Sequence, residues 1–182
     1  MFLPNKIYEY CIIISILLIV ISSLFFSNIP TPYGRFFKED IWGPSIDEKK
    51  AWAIMEATGL IMFILFYFIL GKNNFNIVPL IFLGIWSFHY INRSIIYPYF
   101  IMKQKYKQFP LILVIFGFFY LSLFSYINAI NISSNPKYID SWIKTPQFII
   151  GCTLFTIGFI INIYSDIKLK YLNNNNLENY EN

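Results

Sequence analysis

Residues 150–170 read IGCTLFTIGFIINIYSDIKLK, an apolar run of helix length that ends in polar side chains. Asn162 and Asp166 lie near its end, and Lys168 and Lys170 follow at once. An α-helix needs about 20 mainly apolar residues to cross a bilayer core of about 30 Å. A carboxylate and an amide at the edge of such a span cost free energy, so they indicate a function beyond anchoring.

The composition of the whole chain also indicates a membrane protein. Of 182 residues, 57% are hydrophobic, 21% aromatic and 13% charged, and the apolar residues form long continuous blocks. We therefore predict an all-α, polytopic membrane helix bundle, with residues 1–170 as one unit and the Asn-rich residues 171–182 as a disordered tail. Five spans are predicted, at about residues 10–26, 51–70, 77–97, 109–129 and 148–166.

Two classes of function are excluded by charge and cysteine usage. The formal net charge of +4 is modest and dispersed, so the sequence does not predict nucleic-acid binding. Cys11 and Cys152 both lie inside apolar runs, where we interpret them as small core residues. Neither a disulfide nor a metal site is predicted.

Polar groups within the second and third spans are the strongest functional signal. Glu56 lies five residues into the second span, and it either faces the bundle interior or reaches interfacial water. His89 and Arg93 are four residues apart and share a helix face, while Tyr90 and Tyr97 fall on an adjoining stripe. This helix is predicted to end at Pro98, because proline disfavours helical backbone before it.

The distribution of Lys and Arg predicts the orientation in the membrane. These residues are more frequent in the first, third and last exposed segments than in those on the opposite side. The positive-inside rule then places the N-terminus in the lumen and the C-terminus in the cytosol. Asn131, in the loop predicted at residues 130–147, would be a lumenal glycosylation acceptor. The polar ends of the second, third and fifth spans would together face a cytosolic cavity.

Four motifs occur in an order that resembles the steroid 5-alpha-reductase family. They are PYGRF at 32–36, AWxxxE at 51–56, HYxxRxxIYP at 89–98 and GxxLFxxGxxINIxSD at 151–166. Polyprenol reductases and enoyl-CoA reductases share parts of this pattern, so the substrate stays open.

The resemblance implies hydride transfer from NADPH to the β-carbon of a conjugated enone, within a seven-helix bundle of the endoplasmic reticulum. The substrate would be a 3-oxo-steroid or a related lipid, and the other partners would be membrane lipids. Glu56 and Tyr90 would be the catalytic pair that polarises the substrate carbonyl. By the same resemblance, the cofactor-binding residues would be Asn162, Asp166, Arg93, Tyr33, Gly34 and Lys170.

The chain departs from the family pattern at two places. Met55 stands where the family has Gln beside its catalytic Glu, so the substrate preference is expected to differ. The family also continues for about two more helices, so we expect weak NADPH binding and poor turnover from this chain. One alternative is an inactive membrane protein of the same family, retained as a partner or lipid binder. A small transporter or channel subunit is less supported, because no internal repeat is visible.

Overall fold

The structure, a computed structural model, describes residues 6–27, 42–102 and 108–181, with side chains described as far as residue 171. The helices are α1 (Lys6–Ser27), α2 (Glu48–Leu70), α3 (Ile77–Ile91), a π-helix (Asn92–Ile101), α4 (Leu111–Ser134), a 3-10 helix (Asp140–Lys144) and α5 (Pro146–Glu181). Two three-residue strands, β1 (Ser45–Asp47) and β2 (Gln108–Pro110), pair antiparallel. The predicted all-α membrane bundle is confirmed, with this short strand pair as an unpredicted addition.

Four helices are long and apolar enough to cross a membrane: residues 6–27, 48–70, 111–134 and 146–171. Their outward surfaces carry many large apolar side chains, which suits contact with lipid. The third predicted span is divided into an α-helix of 15 residues and a π-helix of 10, so neither part reaches the length of a span alone. The chain is an integral membrane protein.

The prediction that the third helix ends at Pro98 was wrong. The helix changes to π geometry at Asn92 and continues through Pro98 to Ile101. In an α-helix the proline ring clashes with the carbonyl four residues earlier. The wider π turn moves the bonded carbonyl one residue further back and relieves that clash. The consequence is that the helix continues past Pro98 and places the Phe100 carbonyl beside Lys170 of α5.

Two helices in the C-terminal half extend beyond the predicted spans. Helix α4 extends to Ser134, so Asn131 lies within a helix, where its side-chain oxygen accepts a hydrogen bond from Asn135 Nδ2 at 3.4 Å. Helix α5 continues to Glu181, beyond the span predicted at residues 148–166, and the disorder proposed for residues 171–182 stays a prediction. Extending an existing helix adds one hydrogen bond for each residue fixed, without a new nucleation step.

The most extensive packing in the bundle is between α2 and α4. At one end Ala51 and Met55 are buried against Phe109 and Val114, beside the strand pair that places Ile46 opposite Phe109. At the other end Phe63, Tyr67 and Ala129 form a second buried cluster. Both clusters bury apolar side chains between helices, so α2 and α4 form the rigid frame for the neighbouring α3.

The turn between α2 and α3 is tied to the end of α4. The backbone N–H groups of Lys72 and Asn73 both donate to the Ser133 carbonyl, at 3.2 and 2.7 Å. The Tyr67 hydroxyl donates to the Asn74 carbonyl at 2.6 Å. These bonds satisfy backbone groups that the turn would otherwise leave unpaired. They fix α3 beside α2, which brings Arg93 opposite Glu56.

Candidate functional site

Arg93 is the centre of a group of charged side chains that lies between α2, the π-helix and α5. Its Nε and one terminal nitrogen each donate to Oε1 of Glu56 at 3.3 Å. Both side chains are largely buried, with 17% of Arg93 and 14% of Glu56 exposed. A buried charge without a partner is costly, so the two side chains stabilise each other. Glu56 therefore faces the bundle interior, as one of the two sequence-based interpretations predicted.

Asp166 brings a second carboxylate to the same guanidinium. Its Oδ2 lies 3.9 Å from a terminal nitrogen of Arg93, a separation that suits an ion pair and is too long for a hydrogen bond. This oxygen is buried, and it accepts no hydrogen bond from any residue that the structure describes. Burial of a carboxylate oxygen without a hydrogen bond costs free energy, and the nearby Arg93 charge offsets part of that cost.

Lys170 of α5 contacts the π-helix. Its Nζ donates to the backbone carbonyl of Phe100 at 2.8 Å. An ammonium group carries three donors, so two remain for other acceptors. Asp166 and Lys170 are one helical turn apart, and together they place one acceptor and one cation beside the π-helix.

Two aromatic rings hold the Arg93 guanidinium in place. Its carbon Cζ lies 5.3 Å from the centre of the Trp52 ring and 4.5 Å from that of Tyr97. Rings at this distance attract a cation through their negative faces. Arg93 is thus fixed by two carboxylates and two rings, and its position depends on α2, α5 and its own helix together.

Tyr90 is buried at the junction of α2, α3 and α4. Its ring stacks on Trp86 with centroids 5.0 Å apart and lies against Gly59, where no side chain would fit. The Gly59 carbonyl accepts hydrogen bonds from Trp86 Nε1 at 3.0 Å and from Ser125 Oγ at 3.1 Å. Close packing against α2 therefore fixes the Tyr90 ring, while its hydroxyl bonds to no group among the described residues.

Tyr90 also lines a cavity of about 320 Å³ between α3, α4 and α5. The volume is at the lower end of the range for small-molecule sites, about 300 to 1,000 Å³. The walls are mainly aromatic and aliphatic, and the side chains that keep a group for hydrogen bonding are Tyr90 and His89, since the Trp86 indole already donates to Gly59. The lining residues are Phe82, Ile85, Trp86, His89, Tyr90, Phe124, Ile132 and Phe155.

The structure brings together most, but not all, of the predicted site residues. Glu56, Arg93 and Asp166 meet directly, and Glu56 and Arg93 are close enough to Tyr90 to interact with it electrostatically. Asn162 is exposed one turn before Asp166, and no hydrogen bond joins it to any residue in the described ranges. The predicted cofactor residues Tyr33 and Gly34 lie outside the described residues.

Met55 is directed away from this site. It is 9% exposed and packs against Gly117 of α4, whose lack of a side chain makes room for the Met55 sulfur. It belongs to the buried cluster around Ala51 and does not line the cavity. The expectation that this residue alters substrate preference therefore has no support in the position of its side chain.

Sequence reasoning missed the residues that hold the site together. Trp52 and Tyr97 were visible in the motifs, but nothing in a linear pattern shows that their rings meet on one guanidinium. Trp86 is four residues before Tyr90, and this spacing predicts stacking on one helix face. The importance of Gly59 could not be predicted from the sequence. Glycine is required there because the Tyr90 ring of α3 packs directly against its backbone.

Comparison with known proteins supports the resemblance that the four motifs predict. A sequence model described as 3-oxo-5-alpha-steroid 4-dehydrogenase matches residues 107–181. A steroid 5-alpha-reductase of Solanum lycopersicum is 34% identical over 138 residues, which cover 75% of this chain and 53% of that protein.

Two further relatives match over a similar or larger part of the chain. The steroid 5-alpha-reductase of Arabidopsis thaliana is 28% identical over 178 residues, covering 95% of this chain and 67% of its own. The 3-oxo-5-alpha-steroid 4-dehydrogenase 1 of Bos taurus is 30% identical over 146 residues, covering 78% and 55%. The chain thus spans between about half and two thirds of the length of these relatives.

Proposed function

Because the chain belongs to the steroid 5-alpha-reductase family, we propose that it reduces the conjugated carbon–carbon double bond of a 3-oxo-steroid or related lipid enone with NADPH. The observation that supports this proposal is that Tyr90 lines an apolar cavity and that its hydroxyl bonds to no group among the described residues. A polar donor in an otherwise apolar wall suits a flat lipid that carries one carbonyl.

We assign Tyr90 as the residue that touches the substrate carbonyl. As the double bond is reduced, negative charge develops on the carbonyl oxygen, and a fixed donor stabilises that charge more than it stabilises the ground state. The Tyr90 ring needs no reorganisation, because Gly59 and Trp86 already hold it. The Glu56 carboxylate on α2 interacts electrostatically with Tyr90. Arg93 fixes the position of the Glu56 carboxylate by hydrogen bonding.

The described residues suit the polar parts of a nicotinamide dinucleotide. The Asp166 carboxylate, whose side chain is 16% exposed, could accept from the carboxamide N–H group, and Lys170 has two further donors for a phosphate. The predicted contact from Asn162 stays a prediction, as do those from Tyr33 and Gly34. When bound, NADPH supplies the hydride, while the protein orients the reactants and excludes water.

The positive-inside rule supports a site that opens to the cytosol of the endoplasmic reticulum membrane. In this orientation the N-terminus is lumenal, the C-terminus is cytosolic, and Asp166 and Lys170 lie on the side from which a soluble cofactor enters. A substrate with an apolar body would reach the cavity from the bilayer, since the cavity walls belong to membrane helices.

The test is an assay of the full chain in membranes with NADPH and cholest-4-en-3-one, followed by mass spectrometry. We expect a product that has gained two hydrogen atoms, and we expect Tyr90→Phe to lower kcat by about 100-fold or more. Tyr99→Phe is the matched control, because Tyr99 lies on the same helix, is exposed and does not line the cavity. An absence of NADPH-dependent product would favour an inactive lipid-binding protein instead.

A further inference from the structure

His89 is the second hydrogen-bonding side chain of the cavity, and the proposed reaction leaves it without a role. Its imidazole is partly buried and lies beside Tyr90, with ring centroids 5.2 Å apart and planes at 84°. Within the described ranges it makes no hydrogen bond. Neighbouring positions on the same helix thus present two polar groups to one cavity.

The position of the imidazole is fixed by α5. The rings of Phe155 and Phe159 lie 6.4 and 6.3 Å from it, both in edge-on arrangements. These contacts restrict the rotamers of His89, which lowers the entropy cost of a hydrogen bond to a ligand. The side chain is therefore preorganised, as a group that recognises a ligand should be.

The cavity is polar at one end and apolar at the other. His89 and Tyr90 lie about 12 Å along the helix axis from Phe82, at a rise of about 1.5 Å per residue. Phe82 packs against Tyr138, Trp142 and Phe148, with ring centroids 5.3 to 5.9 Å away, so aromatic rings close that end. A ligand oxygen would therefore find its hydrogen-bond donors at the His89 end of the cavity.

We propose that His89 and Tyr90 together hydrogen-bond the carbonyl oxygen of the lipid enone, with the hydrocarbon body extending toward Phe82. This proposal rests on the proposed function for the identity of the ligand. A carbonyl oxygen has two lone pairs, and a neutral imidazole carries one N–H donor, so the oxygen can accept from both side chains at once. His89 is thereby a residue that determines both the orientation of the substrate and the stability of the charged oxygen.

The test measures equilibrium binding of two tritiated probes to the full chain in lipid nanodiscs: cholest-4-en-3-one, which has the carbonyl, and cholest-4-ene, which lacks it. His89→Phe keeps a ring of similar size but removes the hydrogen bond. We expect a Kd for the ketone about three- to tenfold higher and an unchanged Kd for the hydrocarbon. His89→Gln restores a donor and should recover part of the affinity.

The controls separate hydrogen bonding from packing. Phe119→Leu changes an exposed residue of α4 that lies outside the cavity, and it should leave both Kd values unchanged. His89→Leu provides a second variant if His89→Phe does not fold, as judged by its thermal transition. Equal weakening for both probes, or for neither, would overturn the role of His89. Binding needs no turnover, so this result is independent of whether the chain reduces the ketone.

Discussion

Arg93 donates two hydrogen bonds, both at 3.3 Å, to a single carboxylate oxygen of Glu56 on the neighbouring helix. The same guanidinium reaches Asp166 on α5 at 3.9 Å, so one cation links three helices. The proposed substrate side and the proposed cofactor side of the site therefore share this residue. A change at Arg93 should affect both sides, whereas a change at either carboxylate should affect mainly one.

Arg93→Met should lower the free energy of unfolding by about 3 to 5 kcal/mol, because two buried carboxylates then lose their cation. Adding Glu56→Gln to this variant should restore part of the loss, since one uncompensated charge disappears. Thermal unfolding in detergent measures both effects. Lys137→Met removes an exposed cation and should have almost no effect. Additive losses in the double variant would contradict the pairing.

Gly59→Ala should displace the Tyr90 ring, because an added Cβ would overlap its Cε1 atom. The ring cannot move away easily, since it is buried and stacked on Trp86. We expect a loss of about 1 to 3 kcal/mol in stability, together with a loss of reductase activity.

The control for Gly59→Ala is Gly84→Ala on α3. No atom lies within 4 Å of the position where its Cβ would be, so the change should be neutral or stabilise the helix by up to about 1 kcal/mol. The thermal transition and kcat of both variants are the measurements that test the contact between Gly59 and Tyr90. Equal effects at the two glycines would show that the contact with Tyr90 is unimportant.

Met55→Gln should destabilise the protein without improving its affinity for substrate. The side chain is buried in the cluster that contains Ala51 and Val114, and an unpaired amide there costs about 1 to 3 kcal/mol. Met55→Leu conserves volume and should cost less than about 1.5 kcal/mol. Unfolding and KM for the enone are the two measurements. A lower KM in Met55→Gln would mean that this position does reach the substrate.

Lys170→Met should raise KM for NADPH about tenfold and leave KM for the lipid unchanged. The change removes a charged donor that is fixed by the Phe100 carbonyl and free to bind a phosphate. Lys168→Met is the matched control, because Lys168 lies two residues earlier and its ammonium faces the Tyr164 ring at 5.9 Å. Equal shifts in the two variants would point to a general loss of surface charge.

The membrane class could be predicted from the sequence, because apolar runs of span length have few other solutions. Five spans were predicted, whereas four helices of the described residues are long and apolar enough to cross a membrane. The interior position of Glu56 was one of two interpretations that followed from the cost of exposing a charge to lipid, the other being contact with interfacial water. The π geometry around Pro98 was not predicted, because a proline in a linear pattern is typical of a helix end. The sequence pattern does not distinguish a helix that ends before a proline from one that widens to accommodate it.

The residue types of the site could be predicted from the sequence, but most of the contacts between them could not. Glu56, Tyr90, Arg93 and Asp166 were all visible as polar groups in apolar surroundings. Their motifs did not reveal that Arg93 would bridge both carboxylates, or that Tyr90 would depend on a missing side chain in α2. Such relations arise from the distance between helices, which the sequence specifies only through the complete fold.

The most direct test of the proposed reaction is a single-turnover experiment with NADPH deuterated at the transferable position and cholest-4-en-3-one, with the full chain in membranes. We expect a saturated ketone that carries one deuterium at the former β-carbon, formed at a rate that Tyr90→Phe lowers by about 100-fold. A product without deuterium, or an equal rate from Tyr90→Phe, would contradict the proposed reaction.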